Sequence, residues 1–221
     1  MRYTSIDIET TGLDPERNEI LSIGIIIEDT EKKLTYNEVP KLHLAINHKE
    51  ITGSLFAINM NRDLIDSIAR YQDARTQNQK DTIANEKGIK FVEKDDAVIE
   101  IYSFLYDNEM LGLFHDPQMQ HLNGKLVPIL TSKTKPVSLS VAGKNFGTFD
   151  KRFLEKLPRW QQAIRTKQRI LDPAILFVDW KNDDSLPSLA ECKKRAEIEG
   201  IVTHDALEDA WDVILLLRKF Y

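Results

Sequence analysis

The sequence predicts an α/β fold, a mixed β-sheet of about five strands flanked by helices. Three features predict it. Apolar, β-branched runs lie close together near the N-terminus, at residues 3–8 and 20–28, with an alternating run at 34–39 after a charged turn. Apolar residues then recur at helical spacing at Leu64, Ile65, Ile68 and Ala69, at Val98, Ile101, Tyr102, Leu105 and Tyr106, and along the last stretch through Trp211, Ile214, Leu215 and Leu217. Residues 137–142 alternate again and meet Gly143, which reads as a further strand.

Taken in order, Tyr3, Ile6 and Ile8 make the first strand, and Thr10-Thr11-Gly12 ends it. Asp7 and Glu9 sit two apart within it. Strand residues i and i+2 share a face, so the two carboxylates project side by side. Close carboxylates repel, and one ordinarily keeps a proton, a conflict that a hard divalent cation such as Mg²⁺ or Mn²⁺ removes. Alone, the pair reads equally well as the polar face of an edge strand. Residues 20–28 are almost wholly apolar, a central strand, and 34–39 form the third strand of an antiparallel meander.

Residues 41–51 read as irregular, with His43 and His48 as surface or loop histidines, since neither has a metal partner at useful spacing. Residues 71–93 are rich in Gln, Asn, Asp and Lys and read as exposed loop. Residues 111–139, with His115-Asp116-Pro117, His121 and Lys133-Thr134-Lys135-Pro136, read as loops with short strands. Together these suggest one domain over 1–221 with a loop-rich insertion around 71–139. A helix starts at residues 149–154. Asp172 before Pro173 reads as a structural N-cap, and Ser188 as the cap of a helix over 189–197 that ends near Gly200. Asp205-Ala206-Leu207-Glu208 has the residue types of a capping box at the head of the last helix.

The chain has 221 residues, 42% hydrophobic and 29% charged, enough to bury a sizeable core. No apolar run approaches the ~20 residues that span a bilayer, so no membrane partner is expected. The N-terminus runs straight into a strand, and no signal peptide is expected. Cys192 is the single cysteine, so no intrachain disulfide forms, and a reducing, cytoplasmic setting is the expectation. The net charge of −5 argues against a protein that coats long duplexes. It leaves room for an enzyme holding one strand end, where metal ions supply positive charge.

Three short pieces carry the chemistry: Asp7-x-Glu9, Asp150 at the head of a helix, and His204-x-x-x-x-Asp209 at the start of the last helix. Asp209 shares an apolar helical face with Val213 and Leu216, where an acid is costly unless paired or metal-bound. Placed near a helix N-terminus, it is also favoured by the dipole. In sequence order, residues 7–13 (Asp-Ile-Glu-Thr-Thr-Gly-Leu), 143–150 (Gly-Lys-Asn-Phe-Gly-Thr-Phe-Asp) and 203–210 (Thr-His-Asp-Ala-Leu-Glu-Asp-Ala) resemble the motifs of the DEDDh 3′→5′ exonucleases of the ribonuclease H-like superfamily. That group includes polymerase proofreading subunits, ribonuclease T and oligoribonuclease.

The resemblance implies a ribonuclease H-like sheet and a set of roles. Asp7, Glu9, Asp150 and Asp209 would hold two divalent cations, Mg²⁺ or Mn²⁺, and His204 would be the general base. Thr10 would hold the terminal sugar, Leu13 would pack against the 3′-terminal base, and Asn145 and Phe149 would support the substrate pocket. Asn145 stands five residues before Asp150, whereas many family members place asparagine four before the third acid. The implied reaction releases nucleoside 5′-monophosphates from the 3′ ends of single-stranded DNA or RNA. A polymerase partner or a homo-oligomer stays open.

The chemistry explains the residue types. Two cations roughly 3.5–4 Å apart activate a water and stabilise the departing 3′-oxygen, and about four carboxylates hold them. A histidine within hydrogen-bond reach takes the water's proton. Two other readings compete. A non-catalytic nucleic-acid-binding or polymerase-associated module would have no reason to crowd four carboxylates. A ribonuclease H-like endonuclease would cut a circular single strand.

Overall fold

The computed structural model describes residues 1–111, 118–122, 125–131 and 134–221. Strands β1 (Arg2–Thr10), β2 (Ile20–Asp29) and β3 (Lys41–Ile46) form an antiparallel meander. Helices α1 (Leu55–Met60), α2 (Arg62–Asp73) and α3 (Gln77–Lys87) lead to β4 (Lys90–Val92), which joins β3 in parallel. After α4 (Ala97–Asp107), β5 (Met119–Leu122) and β6 (Lys125–Pro128) make a separate hairpin. β7 (Val137–Leu139) and β8 (Val141–Ala142) follow, then α5 (Asp150–Leu154), α6 (Trp160–Ala163), β9 (Ile164–Thr166), α7 (Leu189–Arg195) and α8 (Ala206–Leu217). The main sheet is five-stranded and mixed, in the order β4-β3-β2-β1-β8, with β8 parallel to β1. It is flanked by helices, as the sequence predicts. Among the described residues, no helix is long and apolar enough to cross a membrane.

Strand alternation sorts the two faces. Ile6, Ile8, Ile23, Ile25, Leu44 and Ile46 pack with Val98, Ile101, Tyr102 and Leu105 of α4 and with Phe153 and Trp160. On the other face Tyr3, Ile26 and Ala142 meet Leu207, Ala210, Val213 and Ile214 of α8. The odd-numbered residues of β1 therefore look towards α8, and Asp7 and Glu9 are among them.

Three expectations need correction. The third strand is Lys41–Ile46, not residues 34–39. In the latter, the Glu38 carboxylate accepts from the backbone N–H and the hydroxyl of Thr35 and closes a turn; such local bonds compete with strand pairing. As a consequence His43 is a buried strand residue rather than a surface one, while His48 is half-buried against the Ile20 carbonyl. Residues 71–93 are not loop: they hold the end of α2, all of α3, and β4. Helix α3 buries only Ile83, so its apolar stripe is too thin to see. Its ends are nevertheless written in the sequence, as a Thr76–Gln79 capping box and a left-handed Gly88 at φ 62°. The single strand expected over 137–142 is interrupted at Ser140. Val137–Leu139 pairs with β9, and Val141–Ala142 with β1. His115-Asp116-Pro117 and Lys133 lie outside the described residues.

The three N-caps behave as read, but the capping box at Asp205 is only half made. Asp172 accepts from the Ala174 N–H, Ser188 from the Glu191 N–H, and Asp205 from the Leu207 and Glu208 N–H groups. The Glu208 carboxylate turns to the Thr203 hydroxyl.

One close approach sets where α8 lies. Gly24 of β2 stands opposite Asp7 in register. A Cβ at Gly24 would come within 2.2 Å of the Ala206 carbonyl oxygen and 2.4 Å of the Leu207 nitrogen. Both are backbone atoms, so only glycine lets the first turn of α8 rest on the sheet. Gly24→Ala is expected to lower stability by about 1–3 kcal/mol, as for other overpacked sites. Gly147→Ala, whose Cβ would meet only Ile170 at 3.8 Å, is expected to stay within about 0.5 kcal/mol. Urea unfolding of the two variants checks the contrast.

Candidate active site

The acids gather at the C-terminal end of β1, on its α8 face. The Ser5 hydroxyl donates to the Ala210 carbonyl at 2.8 Å, docking α8 beside Asp7. β8 pairs only with Thr4 and Ser5, so it leaves the C-terminal half of β1 without a partner strand on that side. Asp150, the first residue of α5, uses that opening: its Oδ1 accepts from the Ile8 N–H at 3.2 Å. The third acid is thus tied to the strand between the first two. Asp209 comes from the first turn of α8. His204 precedes the Asp205 cap, is exposed, and has a left-handed backbone at φ 56°. A ligand atom from each of Glu9, His204 and Asp209 lies within 4.8 Å of the others.

These carboxyls sit uneasily. Asp7 is half-buried, whereas Glu9, Asp150 and Asp209 are buried. Loss of solvent pushes Asp7 well above the usual carboxylate range, and the charges of Asp150, Asp209 and Glu9 push it further. Burial, with Asp209 second, raises Glu9 to about 8. Burial raises Asp150 to about 7 against the pull of its backbone N–H bonds. Asp209 reaches about 7 through burial and then the charges of Asp212 and Asp205. Its Oδ1 is buried without a hydrogen-bond partner. Four crowded carboxyls, an imidazole and an orphaned buried oxygen fit hard divalent cations. Among the described residues, Glu9, His204 and Asp209 are the group close enough to share one ion.

The four expected substrate contacts are placed differently. Thr10 is buried, and its hydroxyl donates to the Gly12 carbonyl at 2.7 Å, inside the turn. Leu13 is 82% exposed just beyond it. Asn145 has φ 59°; its N–H donates to Asp172 Oδ2, and its side-chain oxygen accepts from the Thr148 hydroxyl. The Asn145 side chain is therefore engaged within its own loop. Phe149 packs against Phe153, ring centroids 5.1 Å apart.

Two residues escaped the sequence reading. Asn61, buried at the break between α1 and α2, donates to the Ala57 carbonyl and works against the rise of Glu9. An asparagine at a helix break is the one signal that marks it. His43, its pKa lowered by burial, lies 3.9 Å from Asp205, the residue after His204. Leu55 and Phe56 stand exposed on α1, which the Ser54 N–H ties to the Thr11 carbonyl beside Leu13.

No protein-family model matches the sequence, and no curated protein matches it. Solved structures do match. E. coli Exonuclease I in complex with a 5cy-dT13 oligonucleotide is 15% identical, with TM-score 0.54, over 98% of this chain and 40% of that one. A moderately thermophilic Exonuclease I from Methylocaldum szegediense is 15% identical, with TM-score 0.55, over 98% and 39%. A zinc-bound E. coli ExoI–ssDNA complex is 15% identical, with TM-score 0.56, over 98% and 39%. This chain spans about two-fifths of the length of these proteins. At such identity the likeness shows a shared fold.

The raised carboxyls give a stability prediction. Each binds its proton more tightly folded than unfolded, so the folded chain carries more protons between about pH 4 and pH 8. Metal-free stability therefore falls as pH rises through that window. Mn²⁺ or Mg²⁺ at about 100 times its Kd is expected to add ~2.7 kcal/mol, or about 5–10 °C in Tm at this chain length. Asp209→Asn is expected to raise the metal-free Tm at pH 8 and to remove most of the metal increment. Thermal melts at pH 5 and pH 8, with and without cation, check both. An undiminished increment in the variant would place the cation elsewhere.

Proposed function

We propose that the protein is a metal-dependent 3′→5′ exonuclease that releases nucleoside 5′-monophosphates from single-stranded nucleic acid. The observation that carries this reading is the meeting of residues from three distant parts of the chain. Asp7 and Glu9 come from β1, Asp150 from α5, and His204 and Asp209 from the head of α8. The Exonuclease I structures of like fold, solved with oligonucleotides, support the substrate class.

Asp7, Glu9, Asp150 and Asp209 would hold the cations. When bound, two divalent ions supply Lewis-acid stabilisation of the phosphoryl oxygens and lower the pKa of a bound water. The chain's own residues do the rest. His204, beside Glu9 and Asp209 on an exposed turn, accepts the proton of the attacking water. Asn61 holds the end of β1, just past Glu9, by donating to the Thr10 carbonyl at 3.4 Å. The backbone at Thr10 meets the terminal sugar. Exposed Leu13, with Leu55 and Phe56 on the neighbouring helix, offers an apolar rim on which the last bases rest. Phe149, which is only partly buried, and Asn145 line the loop before Asp150.

Labelled single strands test the reading. With Mg²⁺ or Mn²⁺, a 5′-labelled oligomer is expected to shorten stepwise and a circular strand to stay whole. Asp7→Ala is expected to abolish digestion. His204→Ala is expected to slow it by roughly 10²–10⁴-fold, the usual contribution of a general base. Cutting of the circle would make the protein an endonuclease, and binding without cleavage would leave a recognition module.

A further inference from the structure

Helix α7 ends in three consecutive basic residues that do different things. Lys194 is exposed, and Arg195 pairs with Asp183 and Glu191. Lys193 instead turns inward, with its side chain only 6% exposed. Its Nζ donates to Asp212 Oδ2 at 2.5 Å and to the Ile201 carbonyl at 3.3 Å. Asp212 lies on α8, three residues after Asp209, and Ile201 lies three residues before His204. One buried cation thus touches both the helix that brings the last acid and the loop that brings the histidine.

The loop needs such a hold. Between α7 and α8 the backbone passes through the left-handed region three times, at Glu197 (φ 54°), Gly200 (φ 95°) and His204 (φ 56°). Two of these are not glycine, and such conformations persist only where the surroundings impose them. The Ile201 side chain is 82% exposed and packs little. Apart from the start of the loop, where the Glu197 and Ile198 N–H groups bond the Lys194 and Lys193 carbonyls, its hydrogen bonds before the Asp205 cap, among the described residues, are side-chain ones. They are the Lys193–Ile201 bond and the Thr203–Glu208 bond, the second of them exposed.

We propose that Lys193 is a positioning residue for the proposed reaction, a buried cation that pins the His204 loop to α8 and so holds His204 against Glu9 and Asp209. The proposal rests on the exonuclease reading. A buried ion pair is a poor source of stability, because a well-packed apolar pair commonly replaces it at little loss. Here the pair carries a third contact, to a loop carbonyl, that an apolar pair does not make.

That difference supplies the test. Lys193→Met alone would strand the Asp212 charge and endanger the fold, so the main variant is Lys193→Met/Asp212→Leu, with Lys193→Arg as the conservative partner. The double variant is expected to melt near the parent, with kcat roughly 10–100-fold lower, as for a displaced catalytic group. Its KM for a short single strand is expected to stay within about threefold, because binding is untouched. Lys193→Arg is expected to recover most of the rate. Backbone ¹⁵N order parameters for residues 200–204, measured without metal, are expected to fall from about 0.8 in the parent to below about 0.6 in the double variant. A folded double variant with parental kcat, or with an equally ordered loop, overturns the proposal. A parent that cleaves nothing sinks the exonuclease reading, and the order parameters still decide whether Lys193 holds the loop.

Discussion

The site depends on how closely α8 can approach the sheet. Helix axes usually stand off a sheet by a layer of side chains, but here the first turn of α8 lies almost on the backbone of β2, because Gly24 offers no Cβ. Ala206 and Ala210, both buried and small, continue that approach along β1, and the Ser5 hydroxyl meets the Ala210 carbonyl. Asp209 sits between these two alanines. Its carboxyl is carried towards the carboxyls of the strand by a contact that contains no charge. Packing of small residues brings the acids together, and electrostatics opposes it.

That opposition is visible when the carboxylates at the two ends of the sheet are compared. Glu28, near the far end of β2, is buried yet receives two hydrogen bonds from Arg218 and one from Tyr221. It is a finished structural pair. At the other end of the sheet Asp7, Glu9, Asp150 and Asp209 have no arginine among the groups that shift them, and their protons are held correspondingly tightly. One buried acid of this fold is fully paired, whereas the four gathered at the other end have only the more distant Lys193, acting on Asp209, to offset their charges. That imbalance is what argues for a ligand that brings positive charge with it.

Much of this was legible in the sequence, and what was not has identifiable causes. The sheet's two longest strands, the α4 and α8 stripes and the caps at Asp172, Ser188 and Asp205 follow from local rules, because each feature is decided within a few residues. The five proposed site residues were named from the resemblance of three short motifs: Asp7 and Glu9 alone read equally well as an edge-strand face, and only Asp209 stood where an acid is costly by its context. The third strand was misplaced because residues 34–39 alternate while Thr35 and Glu38 close a turn through their side chains. α3 was missed because one buried isoleucine makes no periodic signal. Asn61 and His43 were invisible because their importance comes from what lies across the fold. His43 reaches Asp205, and Asn61 reaches the end of the strand that carries Glu9. No window along the chain contains both partners.

The same distinction bears on how the histidine is held. The acids are placed by regular elements: a strand, the first residue of a helix, and the first turn of another. His204 is placed by a loop with three left-handed residues, which has no register to define it. In the proposed reaction rigid elements would supply fixed ligands, and the loop would supply a group that faces both an incoming strand end and the carboxylates. A loop free to move that far loses its aim, and a loop packed into the core loses its access. The buried lysine anchors one carbonyl while the Ile201 and His204 side chains stay exposed, an arrangement that would meet both demands of the proposed reaction. It follows that sites of this kind should be compared by what tethers the histidine loop as well as by which acids are present. The acids say whether cations can be held, and the tether says how often the histidine is in place when they are.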